Sequence, residues 1–180
     1  MHMKAIDGPE KNSLGSDEIA QSLQALGQTS AELETLINGL SPSQMRMRRS
    51  DDEFSVTENL CHLRDIEVEG YKVRIQRILA EDEPHLADLD GSRLAVERNY
   101  NVQSAVQVLK DFRRARTQNL RILDSIQKSQ FRREGYLVGV GKISLEKLVG
   151  LMQQHDEGHI SDLEILCRWI TANGRLMNPE

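Results

Sequence analysis

His155 and His159 stand four residues apart in the segment Met152-Gln153-Gln154-His155-Asp156-Glu157-Gly158-His159. Side chains four apart on a helix lie one above the other, with about 5–6 Å between Cβ atoms. Two imidazoles placed this way can reach one divalent ion, since zinc takes imidazole nitrogen at about 2.0–2.1 Å and nickel also favours it. A third ligand must then come from another element, and His62 is the candidate. A face of three nitrogens leaves positions open for water or substrate, which is the arrangement of a catalytic metal rather than a structural one.

Carboxylates near these histidines in sequence are candidates to accept their second N–H: Asp156, Glu157 and Asp162, with Glu58 and Asp65 beside His62. Asp156 and Glu157 are also the candidate general bases. Taken singly, each of the five reads as a solvated surface acid. Cys61 points about 100° around a helix from His62, and Cys167 lies two turns beyond His159, so both read as buried thiols rather than ligands. His85 follows Pro84 in a connection and reads as a surface histidine. His2 lies in a polar stretch and is set aside.

The elements that must carry the three histidines follow from apolar spacing. Leu148, Met152, His155, His159, Leu163, Leu166 and Ile170 recur by four and three, so both histidines share the buried stripe of a last helix running from a Ser144 cap to about Ala172, with Asn173-Gly174 as its stop. Ser55 and Glu58 form a capping-box pattern that opens a second helix, with a stripe of Val56, Leu60, Leu63, Tyr71, Ile75 and Ile78 as far as Ala80. A first helix spans about Ser16 to Leu40 and ends at Ser41-Pro42. A third spans about Val102 to Gln127. A long crossover from Pro84 to Asn101 joins the second to the third, with a short turn near Arg93 to Glu97. The whole is an all-α four-helix bundle over residues 16–175, preceded by a loose tail over residues 1–15.

Gly135, Gly139 and Gly141 could be taken for a phosphate-binding loop. Ile143 stands where such a loop needs Ser or Thr after its Gly-Lys pair, and no strand is evident before it, so residues 128–143 read as a plain connection.

Composition excludes several classes. The chain has 180 residues and a formal charge of -5, which argues against nucleic acid as a partner. The basic groups Arg46, Arg48, Arg49 and Arg113, Arg114, Arg116 lack interleaved aromatics and read as solvated faces. No run of about 20 apolar residues offers a membrane span, and no apolar leader opens the chain, so a cytoplasmic location with reduced cysteines is expected.

These features resemble the DinB/YfiT-like metalloprotein superfamily of four-helix bundles. The resemblance rests on Phe54-Ser55-Val56, on Leu60-Cys61-His62-Leu63, on Arg77-Ile78-Leu79-Ala80-Glu81-Asp82-Glu83-Pro84 and on His155-Asp156-Glu157-Gly158-His159. Phe54 stands where the family often has Trp. The resemblance implies one divalent metal, zinc or nickel, on His62, His155 and His159, and a homodimer. The expected activity is thiol S-transfer, in which a metal-activated low-molecular-weight thiol attacks a small-molecule electrophile. The alternatives are a metal-dependent hydrolase of the same family, or a non-catalytic metal-binding stress or interaction protein.

Overall fold

A computed structural model describes residues 16–173; the tail expected over residues 1–15 and Gly174 lie outside them. Four long helical runs dominate: α1 (Ser16–Ile37), a second run from Val56 to Ala80, α5 (Ala105–Ser125) and α6 (Leu145–Asn173). The second run consists of α2 (Val56–Asp65), a π-helical turn (Ile66–Tyr71) and α3 (Lys72–Ala80). α1 lies against α5 and α6, and α2 against the same two helices. No helix among the described residues is long and apolar enough to cross a membrane.

Local chemistry sets the helix starts. The Ser55 hydroxyl accepts the Glu58 amide at 3.2 Å while a Glu58 carboxylate oxygen accepts the Ser55 amide at 2.8 Å, closing the capping box. The Ser144 hydroxyl accepts the Lys147 amide at 3.1 Å at the start of α6. The crossover contains a short helix, α4 (Gly91–Glu97), capped by Asp90.

Residues 128–143 are not the plain connection expected. They hold a 3-10 turn (Lys128–Arg132), β2 (Glu134–Leu137) and the start of β3 (Gly141–Ser144), and β2 pairs in parallel with β1 (His85–Leu86) from the crossover. Strands of two to four residues are too short for their alternation to show in sequence, and β1 lies some fifty residues away from its partner. Gly139 and Gly141 serve the hairpin: their φ values of 78° and 99° are left-handed conformations that glycine adopts without strain. His85 is exposed and stacks on Tyr136, ring centroids 5.5 Å apart.

The core is divided along the bundle. One apolar cluster includes Leu33, Leu60, Leu63, Phe112, Leu163 and Ile170. The other includes Leu26, Tyr71, Ile75, Leu123, Leu148 and Met152. Where the two clusters meet, each long run contributes polar side chains: Thr29, then His62 and Glu67, then Arg116 and Asn119, then His155, Asp156 and His159. This polar layer positions the site.

Candidate metal centre

The structure brings His62, His155 and His159 together, and one ligand atom from each lies within 4.8 Å of the others. His62 Nε2 and His155 Nε2 stand 3.1 Å apart. Two nitrogens each about 2.0–2.1 Å from a common ion would be separated by about 2.9–3.4 Å at ordinary bond angles, so this pair already has the spacing of two ligands. His155 and His159, on successive turns of α6, have ring centroids 4.6 Å apart, and His62 and His159 4.9 Å.

Burial keeps all three imidazoles uncharged. It pushes His62 down to about 4 and His155 to about 3, with the neighbouring imidazoles adding to the effect. The same desolvation lowers His159, against the pull of the Asp162 and Asp156 carboxylates. Uncharged imidazoles carry the lone pairs a metal needs. The Nδ1 of His155 is buried with no hydrogen-bond partner among the described residues. The donor set, the 3.1 Å spacing and the neutral state together fit a divalent ion.

Two residues that sequence spacing did not single out shape this cluster. Asn59 accepts at 2.8 Å from His159 Nδ1. It sits three residues before His62 and so on the same face of α2, a signal that was available. Gly91 opens α4 directly over His62: a Cβ there would come within 2.4 Å of His62 Nδ1. No sequence signal marked Gly91, because the contact depends on where the crossover lands.

A pocket of about 440 Å³ opens beside His159, between residues 49–54 and α6. Phe54 and Leu166 give it apolar walls, and Asp52, Asn59, Ser92 and Asp162 give it polar ones. Arg49 also lines it, with its Nε 2.7 Å from Glu53.

A model of the DinB superfamily matches residues 25–163 of the sequence. The chain belongs to the DinB superfamily. Among solved structures, YfiT from Bacillus subtilis shares the fold with a TM-score of 0.82 and 20% sequence identity, covering 92% of this chain and 94% of that one. YfiT is described as "a probable metal-dependent hydrolase with an unusual four-helix bundle topology". No curated protein sequence matches the chain.

Within this DinB bundle the five carboxylates separate into two groups. Three that read singly as surface acids are buried. Asp156, 2% exposed, accepts Arg116 Nη1 at 2.6 Å and the Thr29 hydroxyl at 2.7 Å. Glu58 accepts Arg48 Nε at 2.8 Å, and Asp65 accepts from Arg64, Arg98 and the Tyr100 hydroxyl. Their guanidinium partners hold Glu58 and Asp65 below the usual carboxylate range in spite of burial. Glu157 and Asp162 are exposed. Glu157 accepts from Gln153 on its own helix, whereas Asp162 lines the pocket beside His159.

Arg116 is a correction of the same kind. Expected on a solvated face, it is 3% exposed, and its guanidinium joins Asp156 to Glu67 at 2.8 Å and to the Leu26 carbonyl at 3.1 Å. Both cysteines are buried as expected, and burial pushes the Cys61 thiol up to about 12, which makes it a poor nucleophile or ligand.

Proposed function

We propose that this DinB-superfamily chain is a divalent-metal-dependent enzyme, a hydrolase of small molecules bound in the pocket beside His159. The observation that carries the reading is the convergence of three uncharged imidazoles, one of which, His159, lines an open pocket. His62, His155 and His159 would hold zinc or nickel, and the ion would supply Lewis acidity that brings the pKa of a coordinated nucleophile toward neutrality. The pocket volume, about 440 Å³, suits a small molecule. A pocket beside one of the ligands, His159, supports catalysis over a purely structural metal.

The chain's own groups divide the remaining work. Asp162 makes no hydrogen bond or ion pair among the described residues, and its carboxylate in the pocket lining would accept the proton released at the site. Asp156 is held by Arg116 and Thr29, so its role is to fix α6 beneath the ligands. Glu157 is bonded to Gln153 and would have to turn from it to act as a base. Phe54 and Leu166 exclude water from one side of a bound substrate.

Water is favoured over a low-molecular-weight thiol as nucleophile by the pocket's charge. Its lining cation, Arg49, is already paired with Glu53, so no unpaired cation among the described lining residues is left to hold the carboxylate of such a thiol. Elemental analysis of untagged protein and an assay of ester and amide substrates, with and without added thiol, test the reading together. About one equivalent of metal and turnover without thiol are expected, with both lost in His155→Ala and His159→Ala. Consumption of an electrophile only when thiol is present would instead identify an S-transferase. Protein that takes up neither zinc nor nickel would end both readings.

A further inference from the structure

We propose that Asn59 is the positioning residue of the site, holding His159 in the tautomer with its proton on Nδ1 and its lone pair on Nε2, so that His159 is the pre-set ligand. The consequence for metal affinity rests on the function proposed above. The tautomer rests on hydrogen bonds alone.

The Asn59 side chain is buried, and its amide nitrogen donates to the Ser55 carbonyl at 3.0 Å and the Phe54 carbonyl at 3.4 Å. Carbonyl oxygens can only accept, so the amide cannot turn over, and Oδ1 is the end that faces His159. Oδ1 can only accept in turn, so the 2.8 Å contact requires the His159 proton on Nδ1. A neutral imidazole carries one N–H, and the lone pair is therefore on Nε2.

Asn59 is itself fixed by the start of α2. The capping box of Ser55 and Glu58 closes the first turn, and Arg48 binds the Glu58 carboxylate from outside. The two carbonyls that orient the amide belong to that turn. The other two histidines have no such arrangement. His62 and His155 present Nε2 to Nε2 at 3.1 Å, where a hydrogen bond needs a proton on one of the two nitrogens. That proton must leave before both can bind a metal, and the buried Nδ1 of His155 has no partner among the described residues to receive its N–H. His159 alone needs no rearrangement.

Two-bond ¹H–¹⁵N correlations of the metal-free, ¹⁵N-labelled protein at about pH 8 read the tautomer directly, with His159 assigned by its absence in His159→Gln. The expected spectrum shows His159 protonated on Nδ1. Asn59→Leu, which removes the acceptor, should lose that pattern and bind zinc about 10- to 100-fold more weakly. Asn59→Asp keeps an acceptor toward His159 but sets its second oxygen against the Ser55 and Phe54 carbonyls, so it should keep the Nδ1 pattern at a loss of stability. A wild-type spectrum with the proton on Nε2, or Asn59→Leu with unchanged spectrum and zinc affinity, would overturn the proposal. Because Asn59 is buried, thermal melts check folding; if Asn59→Leu does not fold, the wild-type spectrum decides. A wild-type protein that binds no zinc would refute the metal reading, while the metal-free spectra would still judge this one.

Discussion

Each of the three imidazoles gives up the water that would hydrate its charged form, and this has a measurable cost as pH falls. In the unfolded chain a histidine takes up a proton near 6.5, whereas burial holds His62 at about 4 and His155 at about 3 in the folded protein. Between these values the unfolded state binds more protons, so stability rises with pH across that window and is lost as pH falls from 6.5 toward 4. Urea titrations of metal-free protein should show a loss on the order of a few kcal/mol over that range. His155→Leu should flatten the curve there, and an unchanged curve would show that the imidazoles are hydrated. The lowered carboxylates Glu58 and Asp65 act only at lower pH, below their ordinary range. The histidines themselves were legible in the sequence, because a spacing of four on an apolar stripe has one structural meaning. The burial of Asp156 was not, because an acid adjacent to the stripe looks the same whether or not a cation reaches it from another helix.

That cation comes from α5, and its case shows what a single helix reveals and what it hides. Arg113, Arg114 and Arg116 look alike as a cluster, yet only Arg116 falls on the stripe of Phe112, Asn119 and Leu123, at spacings of four and three. Its ion pairs reach Glu67 on the π-helical turn and Asp156 on α6, and its contact with the Leu26 carbonyl ties in α1, so one side chain joins all four long runs. The π-helical turn was invisible, since the apolar pattern of the second run continues past it. Arg116→Met would leave two buried carboxylates unpaired and should cost about 3–5 kcal/mol by chemical denaturation. The same variant with Glu67 and Asp156 also made apolar should recover much of that loss. At α4, Gly91→Ala should displace either the helix or the His62 ring, lowering stability by about 1–3 kcal/mol and weakening zinc binding. Zinc affinity equal to wild type would show that α4 yields instead of the ligand.

Over the whole molecule, the apolar clusters at either end of the bundle hold the four runs together, and the polar layer between them is a burden the fold carries for the site. The Glu67–Arg116–Asp156 group pairs its charges internally, leaving Arg116 Nε and Asn119 Oδ1 without partners among the described residues, while the imidazole cluster is left with a buried His155 Nδ1 and two Nε2 atoms facing each other. Such a cluster is stabilised by an ion that binds the folded bundle and not the unfolded chain. Folding and metal binding are then linked: free zinc or nickel at about 100 times the dissociation constant should add about 2.7 kcal/mol. For a chain of this size that corresponds to a rise in Tm of about 5–10 °C. His155→Ala should melt at one temperature with or without metal, since one of the two nitrogens already at ligand spacing is gone. If metal raises Tm equally in wild type and His155→Ala, the ion is bound elsewhere on the bundle; if it moves neither, the three histidines form a neutral hydrogen-bonded cluster in which the proton between His62 and His155 is not displaced.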